Sequence, residues 1–167
     1  MTTTGRIVSV NVGGLRPLTV NGREVQTGIF KEPVEGHVSV GPLGLAGDVQ
    51  ADRRWHGGED QAVYAYAIED VEWWESQLGR ELGPGFFGEN LTLRGVDVTG
   101  AKPGDRWTAG GVTLEVTIPR TPCQKMAKKA GEPGFVKRFA KAGRPGMYLR
   151  VVETGDVAAG DPVEIAA

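Results

Sequence analysis

Short β-prone runs separated by glycine- and proline-containing turns dominate this sequence and limit the folds open to it. The chain has 26 glycines and 10 prolines in 167 residues. RIVSVNV and HVSV alternate apolar and polar residues, and LTVNGREV contains the Asn-Gly pair typical of a two-residue hairpin. Three strands are therefore expected before Gly41, in a pattern typical of an all-β fold.

Helices are predicted at two places only. QAVYAYA is predicted to be a strand, and IEDVEWWESQLG follows it with apolar residues at helical spacing and Gly79 as a stop. A weaker helical stretch runs from Lys125 through Lys141, and the turn signal GEPG divides it into two short helices. The apolar residues of the first helix are Ile68, Val71, Trp74 and Leu78.

Two similar corners in the last third of the chain favour a barrel. VDVTGAKPGDRW and TGDVAAGDPVEI each read as a strand, a turn ending in Gly-Asp and a new strand. Asp105 and Asp161 occupy equivalent places, where a carboxylate bonds its own turn. The sequence thus predicts a mainly β fold, a closed or nearly closed β-barrel with a few short peripheral helices.

The composition excludes several classes of protein. A chain of this length with 40% hydrophobic residues suits one domain, 1–167. The formal net charge of −2 argues against nucleic acid as a partner. MTTTGRIVSV lacks an apolar signal core, and no apolar run is long enough to cross a bilayer. We therefore expect a cytoplasmic protein whose single cysteine stays reduced.

A charged stretch from Gly44 to Tyr64 is the first candidate binding segment. Two consecutive glycines there allow close backbone approach, and neighbouring cations would favour an anion such as phosphate. No Gly-Lys-Ser/Thr follows, so it is not a Walker loop. A plain turn before a strand is the alternative. The residues concerned are Asp48, Asp52, Arg53, Arg54, His56, Gly57 and Gly58.

GPGFFGENL, from Gly83 to Leu91, is the second candidate segment. Glu89 and Asn90 at the start of a strand could orient a ligand at the rim of a barrel. They could equally close an Asx-type turn, which the residues alone favour.

Cys123, the only cysteine, is the third candidate. It cannot form an internal disulfide, so it can matter only as a thiol, a ligand or a sulfur carrier. Pro119 and Pro122 stiffen the loop, while Arg120 and Lys125 favour the thiolate, the form that attacks or ligates. A small buried hydrophobic residue is the alternative.

Other chemistries find little support. His37 and His56 show no zinc-ligand spacing with the cysteine. A hydrolase pairing of Cys123 with His56 lacks a nucleophile elbow and a third orienting group. Tyr148 and Arg150 lie in GRPGMYLRVVETG, which is predicted to be a closing barrel strand with a structural role only.

These segments together resemble the MOSC domain family, named for the C-terminal part of molybdenum cofactor sulfurases, and in particular its stand-alone, YiiM-like branch. GDVQADRRWHGG, FGENLTLRG, PGDRW, PRTPCQK and YLRVVETGDVAAGDPVEI carry the resemblance, in the family's order and spacing. It extends from about Arg6 to Ile165. The resemblance implies a barrel related to the pyruvate kinase barrel domain.

The resemblance also implies the molybdenum cofactor, a pterin with a dithiolene and a phosphate, as ligand; pyridoxal phosphate is not expected. Cys123 would ligate molybdenum or carry sulfur, since soft thiolate suits this metal. Arg53 or Arg54 would hold the cofactor's phosphate. The other residues implied to line the pocket are His56, Gly57, Gly58, Glu89, Asn90 and Arg120.

The function implied is reduction of N-hydroxylated compounds, small molecules such as N-hydroxylated bases or amidoximes. Molybdenum would take the oxygen of the N–O bond, with Cys123 as metal ligand and Glu89 or His56 delivering protons. One thiol cannot hold an iron-sulfur cluster, so an electron-donor protein is expected as partner. The alternatives are a sulfur carrier with a Cys123 persulfide and a non-catalytic binding module.

The same segments predict a local basic cleft. Cys123 should lie at its rim, partly exposed, near His56 and the Gly88-Glu89-Asn90 turn. Arg53, Arg54, His56, Arg120 and Lys125 are expected to converge there, although the whole chain is slightly acidic.

Overall fold

The structure, a computed structural model, describes residues 2–49 and 58–166. Within these ranges the chain forms thirteen strands, three short α-helices and one 3-10 turn, Glu59–Gln61. The strands are β1 (Thr2–Val12), β2 (Arg16–Val20), β3 (Arg23–Thr27), β4 (Glu32–Val34), β5 (Val38–Gly41), β6 (Gly44–Leu45), β7 (Val63–Ala67), β8 (Leu91–Arg94), β9 (Arg106–Ala109), β10 (Val112–Pro119), β11 (Met147–Glu153), β12 (Gly155–Val157) and β13 (Pro162–Ala166). The helices are α1 (Ile68–Leu78), α2 (Gln124–Ala130) and α3 (Phe135–Ala142).

Seven of the strands close into a barrel, as the sequence predicts. They pair in the order β13, β9, β10, β11, β7, β8 and β1, and β13 pairs with β1 to complete the ring. Only the β7–β8 pair of this ring is parallel, with Ala65 opposite Leu91. A parallel pair requires a long crossover, and α1 supplies part of it. β4 extends the sheet beside β1, and β5, β6 and β12 form a small separate sheet.

The local predictions are largely confirmed. Asn21 and Gly22 have φ of 50° and 76° and join β2 to β3, as a primed two-residue hairpin turn requires. α1 ends at Gly79, whose left-handed conformation lets its N–H bond the Glu75 carbonyl. The tight turn at 131–134 separates α2 from α3. Two details differ. Five strands, β1 to β5, lie where three were expected, because the Asn-Gly hairpin contributes two strands and β4 adds another. The 3-10 turn also delays the start of β7 to Val63.

Both Gly-Asp turns form as predicted, but the strand expected before the first of them does not, since residues 96–98 lie outside the strands. The Asp105 carboxylate accepts a 2.9 Å hydrogen bond from the Lys102 N–H. The Asp161 carboxylate accepts one of the same length from the Ala158 N–H. Each carboxylate therefore stabilises the turn that leads into the following strand.

Apolar residues form two cores that share the barrel wall. One fills the barrel and includes Leu93, Leu114 and Leu149. The other lies outside the barrel, under the three helices, and is rich in aromatic rings. All five residues of β7 are buried, since its alternating side chains face both cores. The outer core contains Tyr66, Trp74, Phe87, Met126, Phe135 and Phe139.

None of the helices in the described ranges is long and apolar enough to span a bilayer.

Candidate functional site

A cavity lies where the outer core meets the end of β10. The segment 27–31, the turn before β8 and the loop 120–125 contribute to its walls, together with tyrosines of β7 and β11. Of the candidate binding residues named from the sequence, the cavity brings together Asp48, Gly88, Asn90, Arg120, Cys123 and Lys125.

Cys123 lines this cavity and is half-buried, in the last extended position before α2. The expectation that the thiol is partly exposed beside the Gly88 turn therefore agrees with the structure. Pro119 and Pro122 restrict the backbone conformations that the chain can adopt on either side of Arg120. The Arg120 N–H donates to the Gly146 carbonyl, which fixes this loop against the start of β11.

Arg120 connects the thiol to the turn before β8. Its Nη1 donates a 2.8 Å hydrogen bond to the Phe87 carbonyl, and its Nη2 lies 3.8 Å from Cys123 Sγ. The guanidinium carbon is 4.9 Å from the centre of the Tyr64 ring. The side chain is only 8% exposed, yet none of the described carboxylates forms an ion pair with it. A buried, always-charged group of this kind creates a positive potential at the thiol.

The turn before β8 is organised by Glu89, which is completely buried. Its carboxylate accepts hydrogen bonds from Gly85 N–H, Phe87 N–H and Thr92 Oγ1 at 3.0, 3.1 and 2.8 Å. Burial raises the pKa of Glu89, although these bonds act in the opposite direction. Glu89 thus closes a turn, the interpretation that the residues favoured.

The structure does not bring Glu89 into the cavity, so its implied role in proton delivery lacks the necessary contact. Its carboxylate is occupied by the backbone it holds. The same turn explains Gly88, which has φ of 83° and would place a Cβ 3.1 Å from Ile29 Cγ1.

Asn90, by contrast, does line the cavity. Its Oδ1 accepts a hydrogen bond from the Tyr64 N–H, and its Nδ2 donates to Asp48 Oδ2 at 2.8 Å. The side chain is 3% exposed, so its amide is held in one orientation. Asn90 therefore connects the β8 turn to an ion pair that also lines the cavity.

That ion pair, between Lys31 and Asp48, escaped prediction as a pair. Lys31 Nζ lies 2.6 Å from Asp48 Oδ1 and donates to the Val49 carbonyl at 3.1 Å. The side chains are 8% and 6% exposed. Burial lowers the pKa of Lys31, an effect that Asp48 opposes. The only sequence signal was a lone lysine after the apolar pair Ile29-Phe30, far from Asp48 in the chain.

Two further residues beside the site were also missed. Tyr148, expected to be purely structural, lines the cavity with its ring 5.2 Å from that of Tyr64. Burial raises the pKa of Tyr148, so it remains a neutral phenol. Lys129 of α2 donates 3.2 Å hydrogen bonds to the Ile29 and Gly85 carbonyls. Burial lowers its pKa to about 8.

The remaining predicted residues can be placed only in part. Arg53, Arg54, His56 and Gly57 lie outside the described residues. Gly58, with φ of 81°, precedes the 3-10 turn. The predicted basic cleft thus has two of its expected members in place, Arg120 and Lys125, with Lys31 as an additional cation.

Comparison with known proteins identifies the family. The model of the MOSC domain matches residues 52–164. The chain belongs to the MOSC domain family. The MOSC chain is 37% identical to YflK of Bacillus subtilis over 159 residues, which are 95% of this chain and 72% of that protein.

Two other relatives are considerably longer than the MOSC chain. It is 30% identical to YiiM of Escherichia coli over 83% of its own length and 63% of that protein. It is also 30% identical to a Gibberella moniliformis protein named Reductase, over 96% of its own length and 29% of that protein. The chain therefore spans less than two thirds of either relative.

Solved structures agree with the barrel. YiiM from Geobacillus stearothermophilus has a TM-score of 0.78 and 36% identity, over 98% of this chain and 75% of that one. The YUAD protein of Bacillus subtilis, at 18% identity, shares the fold with a TM-score of 0.74, over 99% and 97% of the two chains.

Proposed function

We propose that this MOSC chain binds the molybdenum cofactor and reduces N-hydroxylated compounds with electrons from a partner protein. The observation that carries the proposal is the contact between Arg120 and Cys123. A half-buried thiol here lies in the positive potential of a buried guanidinium that no described carboxylate neutralises, and its sulfur is the kind of ligand that a soft metal prefers.

The described residues fit this cofactor in their donor chemistry. Cys123 offers one soft ligand, and Arg120 and Lys125 offer positive charge to an anionic pterin. Arg120 Nε is buried without a hydrogen-bond partner in the described part of the chain, so this cation is only partly satisfied. When bound, the cofactor would supply a two-electron centre that can accept an oxygen atom.

The residues of the chain would bind substrate and supply protons. Reduction of an N–OH group to N–H consumes two electrons and two protons and releases one water. Since Glu89 is buried in its turn, the described groups that line the cavity and carry a transferable proton include the Lys31 and Lys125 ammonium groups and the Tyr148 phenol. The relative named Reductase supports the reductive direction.

The electrons would come from a separate carrier. The chain has one cysteine, too few thiolates for an iron-sulfur cluster of its own. We place the activity in the cytoplasm, where Cys123 stays reduced.

Turnover with a chemical reductant tests this proposal. Protein from a host that makes the cofactor is mixed with reduced methyl viologen and benzamidoxime or an N-hydroxylated purine. We expect oxidation of two viologens per product, and loss of turnover in Cys123→Ala. A sulfane sulfur on Cys123 in the absence of turnover would instead support the sulfur carrier. If neither turnover nor a sulfane sulfur is detected, the result would support the non-catalytic binding module.

A further inference from the structure

The strongest unexplained feature outside the cavity is an uneven distribution of charge. Residues 120–144 contain eight of the 19 Lys and Arg but one of the 21 Asp and Glu. The rest of the chain therefore holds 11 cations against 20 anions. A segment of formal charge +7 in a chain of −2 contains the cavity's thiol and both helices that follow it.

Four cations of this segment lie on the outer side of α2 and α3, whereas Arg120 is buried, Lys129 is largely buried and Arg144 pairs with Asp70. Both helices place their apolar residues in the outer core, among them Met126 and Phe135. Their opposite faces must therefore point to solvent. Lys128, Lys137 and Lys141 are exposed. Arg138 is exposed too, with Glu132 at the edge of ion-pair distance, 4.0 Å.

This surface begins at the cavity. Cys123 is the residue immediately before α2, and Lys125 in its first turn lines the cavity wall. Lys128 lies one turn further on the same side of the helix, since residues three apart are neighbours on a helix surface. The basic helical face, defined as Lys125, Lys128, Lys137, Arg138 and Lys141, thus runs outward from the thiol.

We propose that the basic helical face docks an acidic one-electron carrier protein that supplies the proposed reductase with electrons. This docking proposal rests on the proposed reductase function, and it identifies the surface that would bind the electron-donor protein. Charge complementarity is the argument for this partner. A group of exposed cations beside a redox site raises the rate at which an acidic protein encounters that site, and it orients the protein there. Two carrier encounters, each delivering one electron, would supply the two electrons that one N–OH reduction consumes.

Nucleic acid is a poorer occupant, because the remainder of the chain is strongly acidic and would repel a long polyanion. A second copy of the chain is the other alternative, since Glu69 and Glu72 of α1 are exposed carboxylates. Self-association is therefore measured in the same experiment.

The test compares two double charge reversals. Lys128→Glu/Lys141→Glu changes the basic helical face, and Arg6→Glu/Lys102→Glu makes the same change at exposed positions elsewhere. Each protein is assayed with N-hydroxylated substrate, first with reduced methyl viologen and then with a reduced, acidic [2Fe-2S] ferredoxin. Sedimentation reports the oligomeric state of each.

We expect all three proteins to perform equally with viologen. With ferredoxin, KM should rise on the order of tenfold for Lys128→Glu/Lys141→Glu and change little for the control. The wild-type KM for ferredoxin should also rise with salt.

Two outcomes would overturn the docking proposal and leave the proposed reductase function intact. In the first, wild type turns over with viologen but not with ferredoxin. In the second, both variants have the same KM for ferredoxin. No turnover with viologen would overturn the proposed function, and the docking proposal with it. If wild type and the control are dimers, Lys128→Glu/Lys141→Glu is a monomer and the ferredoxin KM does not change, the basic helical face would instead be the contact with a second copy of the chain.

Discussion

Arg120 Nη2 lies 3.8 Å from Cys123 Sγ, and the other terminal nitrogen of the same guanidinium donates to the Phe87 carbonyl. One side chain thus connects the only thiol of the chain to the turn before β8. Because Arg120 is buried and planar, it fixes both distance and charge at the sulfur.

Replacing Arg120 should slow the reaction of Cys123 with iodoacetamide. Arg120→Met removes the cation whose Nη2 lies 3.8 Å from the sulfur, and a hydrogen bond to a charged group contributes about 1.5–3 kcal/mol. The alkylation rate of the folded protein at pH 7 should therefore fall about tenfold. Arg94→Met, at an exposed ion pair, serves as control and should leave the rate unchanged. Equal rates in all three proteins would show that Arg120 does not act on the thiol.

The buried pair between Lys31 and Asp48 should dominate the stability of the cavity wall. Lys31→Met leaves a nearly buried carboxylate without its cation, which costs about 3–5 kcal/mol. Adding Asp48→Asn should recover part of this loss, because no buried charge remains, although the amide oxygen can accept from only one of Gly13 N–H and Asn90 Nδ2. Urea denaturation measures the free energy of unfolding. A Lys31→Met protein as stable as wild type would contradict the burial of this ion pair.

Lys129 should make stability depend on pH in the alkaline range. Burial lowers its pKa from 10.5 to about 8, so between these values the unfolded chain binds more protons than the folded one. The free energy of unfolding of wild type, relative to Lys129→Met, should therefore rise from pH 8 toward pH 10. The slope should not exceed roughly 1.4 kcal/mol per pH unit. A flat or falling difference would refute the burial of this ammonium.

Glu89→Gln should damage folding rather than proton transfer. The carboxylate bonds two backbone N–H groups and Thr92, and the amide can replace only part of this, at a cost of about 1–3 kcal/mol. Where the variant remains folded, viologen-driven turnover should keep the wild-type pH profile. Loss of one limb of that profile would restore Glu89 as a proton donor.

The barrel could be predicted from the sequence because local rules determine most of its parts. Asn21-Gly22, Gly79 and the Asp105 and Asp161 corners each satisfy a nearby backbone requirement that is visible in a few letters. The parallel β7–β8 pair was not predictable in this way, since it depends on a crossover through α1.

Only part of the candidate site could be predicted from short stretches of the sequence. Arg120, Cys123 and Lys125 are close in sequence, so their convergence follows from one stiff loop. Lys31 meets Asp48 across 17 residues, and Lys129 meets Gly85 across 44, through tertiary packing alone. Glu89 was assigned to catalysis through family resemblance, whereas its burial is a property of the folded turn.

Molybdenum content tests the central claim most directly. Wild type and Cys123→Ser are purified from a host that makes the cofactor, and molybdenum and protein are quantified in both. We expect close to one molybdenum per wild-type chain and little in the variant, with equal thermal stability of the two apoproteins as the folding control. Wild-type protein without molybdenum, or a Cys123→Ser protein that retains it fully, would contradict the assignment of Cys123 as the metal ligand.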